Sequence, residues 1–114
     1  MRIAIALTII IATCISSQPI ALAGSWQAGA KVKQILVENE PNGARVYVRF
    51  TGTSNTEGCT SEWADAYRIY GDTAKGKYFL SLLTAAKLAD RPVQVVLSGC
   101  DDAGRPVIWG VAVD

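Results

Sequence analysis

The stretch ARVYVRF, residues 44–50, constrains the fold more than any other part of the chain. Val46, Val48 and Phe50 fall on one side of an extended backbone, and Arg45, Tyr47 and Arg49 on the other. Alternation with a period of two marks a half-buried strand. Before it stands Pro41-Asn42-Gly43, where proline presets φ and Asn-Gly tolerates positive φ. On the far side of that turn lies AKVKQILV, residues 30–37. There Lys31 and Lys33 alternate with Ala30 and Val32 before the run becomes apolar. Together these segments predict an antiparallel hairpin.

The remaining segments extend the pattern. TGTSNTEGCTS, residues 51–61, is polar and glycine-containing, so it forms a loop. AYRIY, residues 66–70, is a short third strand with Tyr67 and Ile69 on one face and Arg68 and Tyr70 on the other. A helix is predicted from Lys77 to Ala89. Phe79, Leu82, Leu83 and Ala86 form its apolar side, and Lys77, Ser81, Thr84 and Lys87 lie opposite. Asp72 or Thr73 would cap an earlier start, although Gly76 weakens that turn. Pro92 closes the helix by disfavouring α geometry at Arg91. Val93–Ser98 is a fourth strand with Val93, Val95 and Leu97 in phase. After the turn GCDDAGRP, residues 107–113 form a fifth strand with Val107, Trp109, Val111 and Val113 in phase. The order β-β-β-α-β-β predicts a mainly β fold with one helix, a five-stranded OB-fold-like Greek-key barrel. The alternative is an open α+β roll.

The N-terminus bounds where this domain works. Arg2 precedes a nearly unbroken apolar run, Ile3 to Ile15, that is shorter than the about 20 residues a spanning helix needs. Ser16 to Pro19 break it, and Ala21-Leu22-Ala23 is a small-x-small cleavage site. Residues 1–23 therefore read as a secretory signal peptide cleaved after Ala23, and residues 24–114 as a single domain. The expected location is the periplasm or the exterior, with no membrane attachment after cleavage. Two cysteines then remain, Cys59 and Cys100. An even count in a small exported domain predicts a disulfide between them.

Composition excludes several chemistries. Eleven basic residues less Arg2 balance ten acidic ones in the mature chain, so no basic face for nucleic acid is expected. The chain has no histidine, which removes Ser-His-Asp and Cys-His catalysis. No phosphate-binding glycine motif occurs. Asp101 and Asp102 are adjacent, their side chains diverge, and Arg105 competes for them. They are expected as solvent-facing turn residues rather than a metal loop. Glu57, Glu62 and Asp65 lie near one another in the Cys59 region and are expected as a solvated loop. No cofactor, no metal and no enzymatic activity are predicted.

The aromatic residues carry the positive expectation. Trp63, Tyr67 and Tyr70 fall close together beside Glu62, Asp65 and Arg68, and Tyr47 shares a strand face with Arg45 and Arg49. Outward-facing aromatic rings bind sugars or peptides by stacking and apolar burial. Trp63, Tyr67, Tyr70 and Tyr47 are therefore the candidate contact residues, with cover over the barrel end as their structural alternative.

Trp26, the Gly43-x-x-x-Tyr47-Val48 strand entry, Gly58-Cys59, the helix FLSLLTAAKLA and Gly99-Cys100 together give a further pointer. In these the chain resembles small exported OB-fold proteins of Gram-negative bacteria, which in turn resemble the B subunits of AB-type toxins, the subtilase-cytotoxin kind. The resemblance implies an OB-fold, a disulfide, and glycan binding or ring assembly into a homo-oligomer. It transfers no sugar-binding residue to the segment from Gln27 to Lys33. The expected function is an exported non-enzymatic binding module for a glycan or a protein partner. The alternative is a periplasmic enzyme inhibitor or stabilising partner that uses the loop from Thr51 to Ser61 as a wedge.

Overall fold

The computed structural model describes residues 25–40 and 43–114. The expected leader and its cleavage site lie outside the described residues, as do Pro41 and Asn42 of the first turn. Five strands and one helix follow in the expected order. They are β1 (Gln27–Glu40), β2 (Gly43–Thr51), β3 (Ala66–Ile69), α1 (Ala74–Leu88), β4 (Val93–Cys100) and β5 (Pro106–Val113). The strands close into a barrel in the order β1-β2-β3-β5-β4, and β4 pairs back onto β1. Neighbours are antiparallel except β3 and β5, which run parallel and meet at Arg68 and Val107. This is the OB-type barrel, and its closure rules out the open roll.

β1 is long because it serves two neighbours. Lys31 to Glu40 pair with β2, while Gln27 and Ala30 pair with β4. The strand bends between these partners at Gly29, whose φ of 73° suits glycine. A second register shift lies between Val32 and Gln34. A bulge inserts one residue and bends its strand; here the extra residue is Lys33. Val32 and Ile35 consequently both reach the core.

The alternation read from β2, β3 and β4 holds. Val46, Val48 and Phe50, Tyr67 and Ile69, and Val93, Val95 and Leu97 all belong to one apolar core. β5 departs from it. Val96 pairs with Gly110 and Leu97 with Ile108, so Trp109 is the extra residue of a bulge. Ile108 and Val111 turn inward, and Trp109 is pushed out to 61% exposure. The expected phase of Val107, Trp109, Val111 and Val113 is thereby corrected.

α1 starts earlier than its apolar pattern predicts. The Thr73 hydroxyl accepts the Gly76 N–H at 3.0 Å, a capping bond that satisfies one orphan donor. Gly76 permits this start rather than opposing it, because a Cβ there would run into the Tyr70 carbonyl. The buried face comprises Gly76, Leu83 and Ala86, with Phe79 partly buried. Leu82 was expected on that face but is 41% exposed. It lies about 100° around the helix from Leu83, beyond the arc that the barrel covers. At the other end, Arg91 N–H donates to the Ala86 carbonyl at 2.9 Å and Asp90 N–H to Lys87 at 3.2 Å. Asp90 takes φ 51°, so a left-handed cap stops α1 before Pro92 can.

Candidate functional site

The four aromatic candidates separate in the fold. Trp63 is 51% exposed and Tyr70 is 42% exposed, whereas Tyr47 and Tyr67 are fully buried. Neither buried ring is available as a contact surface, which corrects the expectation for both.

Tyr47 does lie on the side of β2 away from the core, but the turn from Asp101 to Arg105 folds over it. The Arg105 guanidinium lies 4.1 Å from the centre of its ring, and Arg68 lies 5.8 Å away. Its hydroxyl donates to Asp101 Oδ2 at 3.2 Å. Asp101 is buried, contrary to the expected solvent-facing turn. Arg68 Nη1 also donates to Oδ2, at 3.2 Å, while Oδ1 accepts the Ala103 and Arg105 N–H groups at 3.0 and 2.9 Å. A buried carboxylate needs such donors, and here it has four.

Asp102 behaves as expected and projects outward. It takes a two-pronged bond from Arg45, at 2.8 and 2.9 Å. That guanidinium holds the Asp102 carboxyl below the usual range, and the carboxylate in turn raises Arg45. Arg105 Nη1 donates to both Glu38 oxygens at 3.2 Å. Arg45, Arg68 and Arg105 thus each contact a carboxylate, and this cluster is a structural cover over Tyr47.

The predicted disulfide is present between Cys59 and Cys100, with a Cα–Cα distance of 5.7 Å. It joins the loop after β2 to the start of the Asp101 turn. Ser61 N–H adds a bond to the Gly104 carbonyl at 3.1 Å. The loop is further held from within. The Asn55 side chain donates to the Cys59 carbonyl and accepts the Cys59 N–H, at 2.9 and 3.1 Å. Gln27 grips both polar backbone groups of Ser54 in the same way, at 3.0 and 2.8 Å.

This fixed loop forms one wall of an open groove of about 560 Å³. The other wall is the outer face of β1 and β2. Gln34, Arg49, Thr53, Glu62, Trp63 and Asp65 line it. Arg49 organises the site. Its Nη1 donates to Gln34 Oε1 at 2.6 Å and its Nε to Asp65 Oδ2 at 3.1 Å. Its guanidinium carbon lies 5.7 Å from the centre of the Trp63 ring, within cation–π range. Gln34 stands opposite Arg49 because the Lys33 bulge shifts the register there. Tyr67 lies beneath the groove. Its ring packs at 5.7 Å from Phe50, its hydroxyl donates to Thr53 at 3.0 Å, and burial pushes its phenol upward.

Arg49, Gln34 and Asp65 escaped the sequence reading as site residues. The available signal was that Arg49 occupies the outer face of β2; its pairing with Gln34 depends on the bulge. Tyr70 belongs elsewhere, stacked 4.5 Å from the Arg68 guanidinium beside the start of α1. Glu57, Glu62 and Asp65 form no metal site. Among the described residues no three Cys, Asp or Glu side chains gather closely enough for one.

The groove offers hydrogen-bond donors and acceptors beside an exposed indole. That combination suits a polar molecule with one flat apolar face. The class so defined is an OB-type barrel with a disulfide-pinned loop flanking an aromatic groove. No protein-family model matches the chain, and no curated protein matches it. Among the described residues no helix is long and apolar enough to cross a membrane.

Proposed function

We propose that this protein is an exported, non-enzymatic binding module whose ligand is a glycan held against Trp63. One observation carries the reading: a half-exposed indole heads a groove of about 560 Å³ whose polar walls are already fixed by hydrogen bonds. A fixed wall lowers the ordering cost of binding. The OB architecture supports it, since such barrels recurrently bind oligosaccharides and oligonucleotides. The balanced charge of the mature sequence favours the sugar. Export is supported by the leader pattern and by the Cys59–Cys100 bridge.

A glycan array probed with the purified protein tests this. Binding is expected, and Trp63→Ala is expected to weaken it about 30-fold, the loss typical of an aromatic hot spot. Circular dichroism and the melting temperature should stay unchanged. Absence of any glycan binding, or equal binding by the variant, overturns the reading. The alternative, an inhibitor or stabilising partner inserting the loop from Thr51 to Ser61, is supported by the bonds that pin that loop.

A further inference from the structure

A second groove lies away from Trp63, where the first turns of α1 pass β5. It is narrower, about 240 Å³, and mostly apolar. Tyr70 and Trp109 flank it, Gly76, Phe79 and Ile108 lie deeper, and Lys75 stands at the edge. Both flanking rings are exposed, Tyr70 at 42% and Trp109 at 61%. The apolar surface continues along the helix: Lys75, Tyr78 and Leu82 are spaced i, i+3 and i+7 on one flank, and Tyr78 and Leu82 are both exposed. Exposed apolar residues gathered around a groove mark an interaction surface.

The charge at this groove has one sign. The first turn of α1 contains no acidic residue and carries Lys75 and Lys77. Cations there oppose the helix dipole, whose N-terminal end is positive. Lys75 makes no ion pair among the described residues. The nearest acid in sequence, Asp72, is not among the residues lining this groove and instead lines a neighbouring pocket with Arg45 and Arg68. A local rule broken without internal compensation is characteristic of a functional surface.

We propose that the groove between α1 and β5 docks an acidic segment of a protein partner. One bulky apolar side chain of that segment inserts between Tyr70 and Trp109, and a neighbouring carboxylate pairs with Lys75. The bulge that turns Trp109 outward builds one wall. Gly76 lies at the floor, where its missing side chain lets α1 pack directly against the Tyr70 carbonyl. This site is independent of the Trp63 groove, so the molecule can hold a glycan and a protein at once.

The test uses the ¹⁵N-labelled full chain, expressed with its own leader, and three capped peptides. These are Glu-Asp-Phe-Asp-Glu, the same peptide with serine for phenylalanine, and Lys-Lys-Phe-Lys-Lys. The first peptide should shift the Trp109 indole and Gly76 amide signals saturably, and the other two should not. Trp109→Ala should weaken binding about ten-fold. Lys75→Glu should weaken it about five-fold and confer binding of the basic peptide. Trp109 is exposed and Lys75→Glu suits the helix dipole, so both variants retain the fold.

Equal binding of the serine peptide overturns the apolar anchor, and indifference to Lys75→Glu overturns the charge pairing. Shifts at Trp63 without shifts at Trp109 place the peptide in the other groove and overturn the site. Signals at Trp109 that depend on protein concentration, with matching sedimentation, would assign the groove to a second copy of the chain and overturn the partner. Where mass spectrometry finds residues 1–23 retained in the purified protein, groove signals that change on their removal would assign the groove to the chain's own N-terminal segment, with the same result.

Discussion

The indole of Trp26 fills the space that a side chain at Gly110 would need. A Cβ built on Gly110 would come 2.8 Å from Trp26 Cη2 and 2.9 Å from Val96 Cγ1. The ring thereby covers the outer face of β4 and β5, where Val96 is buried outside the barrel core. Gly110→Ala should therefore displace Trp26 and cost about 1–3 kcal/mol. Thermal melting and indole fluorescence report the two effects. Adding Trp26→Ala should recover part of the loss, and a purely additive double variant would contradict the contact.

Gly76 offers a test whose sign is opposite to propensity. Within a helix, alanine is favoured over glycine by about 1 kcal/mol. Here the new Cβ would meet the Tyr70 carbonyl, a backbone atom held at the end of β3. Gly76→Ala should lower the urea midpoint and fray the first turn of α1. A gain in stability would contradict this close approach of α1 to the Tyr70 carbonyl.

The two aspartates of the turn should respond differently. Asp101 gathers Tyr47, Arg68 and two backbone N–H groups around a buried carboxylate. Asp101→Ala strands those donors and should cost about 3–5 kcal/mol. Asp102→Ala, at an exposed pair, should cost far less. Equal losses in chemical denaturation would refute the division.

Asp102 also gives a pH signature. Its folded-state carboxyl is depressed, chiefly by the Arg45 hydrogen bonds. Its stabilising contribution is therefore complete above the unfolded value of about 4 and is lost as the pH falls through the lower folded value. Asp102→Asn should melt below the parent at pH 7. That gap should close in acid, and a gap that widens below pH 4 would reverse the sign.

Reduction of the disulfide should be costly. Cys59 and Cys100 are 41 residues apart, and closing a loop of that length stabilises by about 4 kcal/mol in the chain-entropy model. Urea unfolding with and without reductant measures this. Thiol titration of the native protein should find neither cysteine free.

Much of the inner face was legible beforehand, because a buried strand face has a period of two that residue types display directly. Val46, Val48 and Phe50 show it, as do Val93, Val95 and Leu97. The outer faces were not legible. Tyr47 beside two arginines looks like surface until the Asp101 turn lies over it, and that cover comes from a segment more than fifty residues away. Trp109 illustrates a second cause. One inserted residue reverses the phase of a strand, and a bulge has no residue signature of its own.

By itself, then, the sequence determined the order of five strands and one helix and the absence of histidine chemistry, and it predicted the bridge between Cys59 and Cys100. These depend on local periodicity, composition and counting. Only the tertiary structure decided that Tyr47 and Asp101 go under cover, that Trp63 heads a groove organised by Arg49, and that Trp109 faces out beside α1. Each of those outcomes depends on which distant segment packs over a given face, and on a register that a single bulge can shift.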